Sequence, residues 1–294
     1  LVALLILTAI GFVALYTQTG FLQQDQIDTK DLQKWQYENG VIKNAQGFTL
    51  EGSSGKCWVM VHGYTSTPNE LRIVARAVNQ KFNDTVYVPR LDGHGTVPSD
   101  VERYSVDFWY DQIADIARRN NCSYLLGSSM GASLVLGFVE THHVDGAVLV
   151  GTPLDLEPSF LPTGLVVNAL LPIARYTKRD VPGHTVQDPK GKAEHITGYT
   201  FPLKGVAELD VFNQHVKADL ARVDSPVLFL HATHDTVANI KGAKDAYEKV
   251  GGSKRFIELG ADHIVFRDYD KEKAVDAVLL FREQTKKQLP QQSS

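Results

Sequence analysis

Four short runs of the chain are apolar at nearly every position: Cys57-Trp58-Val59-Met60-Val61, Tyr124-Leu125-Leu126-Gly127, Gly146-Ala147-Val148-Leu149-Val150 and Pro226-Val227-Leu228-Phe229-Leu230. Unbroken runs of this length read as strands buried on both faces of a parallel sheet. Thr85 to Pro89 and Arg255 to Leu259 read as further strands, and Gly47 to Glu51 as an edge strand. Between them the period changes to that of a helix. After Pro68, Leu71, Ile73, Val74 and Val78 share one face, with proline in the first turn. Trp109, Ile113 and Ile116 mark a helix over 107–120. Further helices are predicted from the Ser129 turn to about His143, over 240–250, and over 271–288. Strands alternating with helices predict an α/β domain with a mainly parallel sheet covered on both faces, built from 47–153 and 223–288. The alternation stops over 154–222, which holds an apolar stretch from Phe160 to Ile173, several prolines and polar turns. That interval is too long for a bare loop, and it is predicted to form a small, mostly helical lid over the strand ends.

The N-terminus departs from this pattern. Residues 1–16 are almost wholly apolar and 1–24 carry no charge. About 20 such residues cross a bilayer as a helix. A cleaved secretory signal needs a small-x-small site soon after the apolar run, and Tyr16-Thr17-Gln18-Thr19-Gly20 is a poor one. A single-pass membrane anchor over 1–24 is therefore preferred to a signal peptide, whose cleavage would leave a secreted or periplasmic domain. The polar, mixed stretch 25–46 reads as a linker with a short amphipathic piece.

Charge narrows the partners. The net charge is −4 over 294 residues, with no long run of like charge, so nothing marks a nucleic-acid surface. The two cysteines, Cys57 and Cys122, form no CxxC pair, and neither a zinc site nor a cofactor is expected. Both precede strands that would be neighbours. A disulfide and a pair of buried free thiols are both compatible with that placement, the thiols being the preferred reading. Oligomeric state leaves no mark in the sequence.

Candidate chemistry centres on Gly127-Ser128-Ser129-Met130-Gly131, where a strand runs directly into a helix. A serine at such a turn is held in strained geometry with its hydroxyl above the sheet. Ser129 is thus a candidate nucleophile, and it needs a base and a carboxylate to orient that base. With the serine on a strand–helix turn, the chain order is serine, acid, histidine. Asp235 lies just past the 226–231 strand, and His263 follows on a loop after the next strand. Asp262 is the rival acid, but a residue adjacent to the base usually points away from it. His231, His234 and His94 read as packing or hydrogen-bonding residues. Two N–H donors must face the negative oxygen of a tetrahedral intermediate. The backbones of Met130, after the nucleophile, and Tyr64, in His62-Gly63-Tyr64-Thr65, are the candidates.

With these residues placed, the chain resembles the α/β-hydrolase superfamily, and within it the monoacylglycerol lipase and bacterial carboxylesterase group. The likeness rests on His62-Gly63-Tyr64, Leu91-Asp92-Gly93-His94-Gly95, Trp109 followed by Asp115, the Ser129 turn, Asp235 followed by Val237, and Asp262-His263. Two features depart from the group: Ala232 stands in the acid loop where many members have glycine, and the apolar N-terminus is foreign to its soluble members. The resemblance implies an α/β-hydrolase fold, a Ser129–Asp235–His263 triad and a lid at 154–222. The implied function is a serine esterase acting on a small-molecule acyl ester of short to medium chain. The acyl pocket would be lined by Phe160, Leu161, Leu165 and Val166, and the membrane would be met through the N-terminal segment. An acyl-thioester hydrolase with the same triad is the alternative. A non-catalytic, membrane-tethered binding protein on the same scaffold is a third reading.

Overall fold

The computed structural model describes residues 22–23, 29–156, 163–179 and 185–288. At its centre lies a seven-stranded sheet. Its strands are β1 (Phe48–Leu50), β2 (Cys57–Val61), β3 (Thr85–Val88), β4 (Tyr124–Ser128), β5 (Gly146–Val150), β6 (Val227–Ala232) and β7 (Lys254–Leu259). Their spatial order is β7-β6-β5-β4-β2-β3-β1. Every pairing is parallel except that of β1 with β3. The four unbroken apolar runs are the four central strands β2, β4, β5 and β6, each buried at every position.

Because successive side chains leave a strand on opposite faces, each central strand feeds two cores. Val59, Val61, Leu125, Leu149 and Phe229 face one side. There they meet α2 (Val106–Arg119), α3 (Met130–Val139), α4 (Lys204–Asp219) and α5 (Ile240–Lys249). Trp58, Met60, Leu126, Val148 and Leu230 face the other side, against α1 (Arg72–Phe82) and α6 (Lys271–Gln288). Helix α2 starts where Ser105 accepts a hydrogen bond from the N–H of Phe108, satisfying one of the donors a helix start leaves unpaired. Helix α1 ends on Asn83 in the left-handed conformation, φ 55°, a residue type that tolerates that region.

The N-terminal ends of the strands are clamped. Asp84 is fully buried and accepts hydrogen bonds from Arg282 Nε at 2.8 Å, Trp58 Nε1 at 3.0 Å and Ser54 Oγ at 2.6 Å, tying α6 to the start of β3. Cys57 and Cys122 form a disulfide between the starts of neighbouring strands. The preference for free thiols is thereby corrected: the parallel register sets the two Cα atoms 4.7 Å apart, inside bridging range.

The described part of the interval 154–222 is mostly helical, as expected, but it is not helical throughout. Besides short helices at Thr163–Leu170 and Pro189–Glu194 it contains an antiparallel sheet, in which Tyr176–Lys178 pairs with Thr200–Pro202 on one side and Leu22–Gln23 on the other. Its last helix, α4, packs on the body of the domain against α2 and α3. The stretch read as a linker with a short amphipathic piece carries a helix, Thr29–Lys34, and attaches to this interval. Buried Asp31 accepts the N–H groups of Tyr199 and Thr200, and Trp35 donates to the Thr197 carbonyl. The attachment was hidden because it combines single buried polar groups with a small apolar cluster, in which Trp35, Tyr37, Val41, Ile42 and Ala45 meet Ile196. The apolar run 1–16 lies outside the described residues. Of the stretch 1–24, only Leu22 and Gln23 are described, and they form a strand. Among the described residues no helix is long and apolar enough to cross a membrane.

Candidate active site

The site forms at the C-terminal ends of the parallel strands, where open α/β sheets bind ligands. β4 ends at Ser128, and Ser129 turns the chain into α3 with φ 54° and ψ −123°. A serine in this region costs on the order of 1–3 kcal/mol, and the surrounding packing holds it there. The Ser129 N–H donates to the Val150 carbonyl at 2.8 Å. A Cβ on Gly131 would collide with the Val61 carbonyl, and one on Gly127 with the carbonyl of Gly131, so only glycine lets α3 start this close to β2 and β4.

His263 follows β7 and reaches back to the turn. Its Nε2 lies 2.8 Å from Ser129 Oγ, and its Nδ1 lies 2.9 Å from Asp235 Oδ2. The pattern fits a neutral imidazole whose Nδ1–H donates to Asp235 while Nε2 accepts the serine hydroxyl. Gly151, φ +55°, leaves room for the pair, since a Cβ there would approach His263 Nδ1 to 3.2 Å and Asp235 Oδ2 to 3.4 Å. The other oxygen of Asp235 accepts the N–H groups of Val237 and Ala238 at 2.9 and 2.7 Å. The rival, Asp262, turns away from the imidazole: it accepts from the backbone of His263 at 2.7 Å and from both the N–H and hydroxyl of Thr236. Asp262 therefore fixes the loops that carry the histidine and the acid.

Electrostatics follow from this packing. Burial acts to lower the pKa of His263, but the Asp235 carboxylate, with Glu70 and Asp262, outweighs it and holds the imidazole above its ordinary value. Burial acts to raise the pKa of Asp235, but His263 and the Ala238 N–H keep the carboxyl below the usual range. Both shifts describe the same ion pair in its charged state.

The loop after β2 faces the serine. A Cβ at Gly63 would sit 3.0 Å from Ser129 Cβ. Among the described residues neither the Tyr64 N–H nor the Met130 N–H donates to a protein acceptor. The loop is fixed from behind. The His62 Nδ1–H donates to the Gly63 carbonyl at 2.9 Å and His62 Nε2 accepts the Leu91 N–H at 3.2 Å. Burial pushes the His62 pKa down to about 4, which keeps the ring neutral as this pairing requires. His94 stacks edge-on between His62 and Trp109, and Trp109 Nε1 donates to the Asp92 carbonyl.

Three residues near the site escaped the sequence reading. Glu70, fully buried, accepts the Gly63 N–H at 3.3 Å and the Ser66 hydroxyl. Its position in the turn after Thr67-Pro68-Asn69 resembles an ordinary helix start, which hides it. Arg179 and His195 line the cavity above Ser129, and both come from the interval with the weakest pattern.

The apolar side chains lining that cavity include Leu156, Phe201, Val206, Leu209, Val237 and Ile264. The expected acyl-pocket residues fare differently. Phe160 and Leu161 lie outside the described residues, as does the side chain of Leu165. Val166 is not among the lining residues: its helix packs through Val167 and Leu170 on Leu203 and Ala207 at the base of α4. An apolar stretch over 160–173 could be read from the sequence, but not what its side chains cover.

A parallel sheet with a serine on a strand–helix turn, hydrogen-bonded through histidine to an aspartate two strands away, defines an α/β hydrolase. The chain belongs to the serine aminopeptidase S33 family, whose sequence profile matches residues 53–269. It is similar to the thermostable monoacylglycerol lipase of Bacillus sp. (strain H-257), 28% identical over 250 residues that cover 82% of this chain and 95% of the relative. Two solved structures share the fold. A chain from the metagenome-derived lipolytic enzymes LipS and LipT superposes with a TM-score of 0.74 at 22% identity, covering 84% of this chain and all (100%) of that one. The Paleococcus ferrophilus monoacylglycerol lipase gives 0.69 at 19% identity, covering 81% and 98%.

Proposed function

We infer that this protein is a serine carboxylic-ester hydrolase in which Ser129, His263 and Asp235 form the catalytic triad. The observation that carries the reading is the unbroken chain of two hydrogen bonds, 2.8 and 2.9 Å, from Ser129 Oγ through His263 to Asp235. As Ser129 attacks the acyl carbonyl, His263 Nε2 takes its proton, and Asp235 stabilises the imidazolium. The N–H groups of Tyr64 and Met130 hold the negative oxygen. Collapse of the tetrahedral intermediate breaks the ester C–O bond, and His263 returns the proton to the departing alcohol. Water, activated by the same histidine, then releases the acid and restores Ser129. The lipase relatives support an ester rather than a thioester. The apolar side chains lining the cavity support an acyl chain of short to medium length, with the residues of 154–222 as a lid over it. The apolar run 1–16 supports attachment of the domain to a membrane, to be checked by its partition into alkali-washed membranes.

The test is a series of p-nitrophenyl esters of graded acyl length with Ser129→Ala as control. Hydrolysis is expected to peak at short to medium chains and to fall at least about a thousandfold in the variant. Full activity in Ser129→Ala would overturn the assignment, and faster turnover of matched thioesters would move the substrate class.

A further inference from the structure

The cavity that opens on Ser129 is not apolar throughout. Among its apolar residues stand Arg179, His195, Thr185 and Thr197. Arg179 is half-buried, follows the strand Tyr176–Lys178, and is anchored by its N–H to the Tyr199 carbonyl. Its guanidinium lies 4.2 Å from the centre of the Phe201 ring, and Nη1 donates to Thr197 Oγ1 at 3.1 Å. Thr197 in turn donates to the carbonyl of Thr65, beside Tyr64. The side chain is thus held rigidly at the cavity.

A guanidinium carries five N–H donors and cannot lose its charge. Only one of its hydrogen bonds, to Thr197, is made within the described residues, and no carboxylate among them lies within ion-pair distance. Asp31, whose charge reaches Arg179, has both oxygens engaged by the N–H groups of Tyr199 and Thr200. Glu102 is engaged by Arg175 and the Tyr176 hydroxyl. A cation partly removed from water without a partner is costly, and an anion in the cavity would offset that cost. Further cations surround the spot: burial first, then Arg267, Arg179 and Lys34, push the pKa of His195 down to about 3. A neutral His195 leaves Arg179 as the charged group at the cavity wall.

We propose that Arg179 makes this enzyme selective for acyl esters that carry a second, anionic group, a carboxylate or a phosphate, which pairs with the guanidinium while the ester carbonyl lies at Ser129. The inference rests on the ester-hydrolase reading and names its substrate class. Planar, bidentate pairing with an oxyanion is what arginine does better than any other side chain, and the apolar lining accommodates the carbon chain joining the two groups.

Two matched substrate pairs test it. One carries the anion on the acyl side: the p-nitrophenyl monoester of adipic acid against p-nitrophenyl hexanoate. The other carries it on the alcohol side: butyrylglycerol phosphate against butyrylglycerol. The readout is the ratio of kcat/KM, anionic over neutral, for the full chain and for Arg179→Met and Arg179→Lys. The wild-type ratio is expected to reach about tenfold or more in one pair, which also locates the anion. Arg179→Met should bring that ratio to one or below, and Arg179→Lys should retain part of it. Labelling of Ser129 by a fluorophosphonate reports whether each variant has assembled its site, and the wild-type ratios stand without any variant. Ratios at or below one in both pairs, or a preference that survives Arg179→Met, overturn the proposal while leaving the ester-hydrolase reading intact. Failure of the wild type to hydrolyse any of the four esters overturns both.

Discussion

His263 stands under two opposed influences, and the balance between them sets a measurable pH. Burial favours the neutral ring, while Asp235, Glu70 and Asp262 favour the cation and prevail. Attack by Ser129 needs the neutral ring, so activity is present above the His263 pKa and lost as pH falls through it. The acid limb of kcat/KM should therefore lie above the ordinary histidine value of about 6.5. Asp235→Asn removes the largest of the raising influences and leaves burial, so the limb should move to lower pH while kcat drops by about 10⁴-fold. A limb that stays in place would show that another group controls it. At this scale the sequence was most readable. Ser129, Asp235 and His263 occur in a fixed chain order, and the choice of Asp235 over Asp262 followed from the direction adjacent side chains take. Glu70 was not legible because its partners, Gly63 and Ser66, are reached only once the loop after β2 has folded back on it, and Arg179 because it acquires its role from Thr197 and Phe201 on another segment.

At the scale of elements, the site depends on how closely α3 and the loop after β2 approach each other. Gly131→Ala forces a methyl group against the Val61 backbone, which cannot rotate away. Overpacking of this kind costs on the order of 1–3 kcal/mol, with the upper end expected here, and a urea melt of the variant against wild type measures it. Glu70 acts on the same junction from the other side. Glu70→Ala removes the acceptor of the Gly63 N–H and the Ser66 hydroxyl. The loop bearing the Tyr64 N–H should then loosen, lowering kcat by about a hundredfold with a smaller change in KM. Equal losses in binding and turnover would argue against a role in positioning. The strands and helices of this region were legible because both cores impose strict periods on them. The interval 154–222 was legible only as mostly helical, since among the described residues its short strands pair with one another and with Leu22–Gln23, and pieces of two or three residues carry no period.

Across the whole molecule, reaction and cohesion occupy opposite ends of the sheet. The buried Asp84–Arg282 pair and the Cys57–Cys122 disulfide both lie at the N-terminal ends of the strands. Asp84→Ala leaves Arg282 buried without its partner and should cost about 3–5 kcal/mol, read as a fall in the urea midpoint. Reducing the disulfide releases a loop closed over 65 residues, worth about 4 kcal/mol by chain entropy, and should lower the melting temperature with little change in kcat of the folded enzyme. Both groups were visible as residues in the sequence, but their union depends on which strands are neighbours, and that is a property of topology. The clamp at the strand starts has a consequence for the history and the engineering of this chain. Substitutions that widen or recharge the cavity fall on loops remote from the groups that hold the sheet together. Such changes can accumulate without eroding the stability on which the next one depends. Laboratory selection for a new ester should thus succeed through changes in 154–222 and leave Asp84, Arg282, Cys57 and Cys122 untouched.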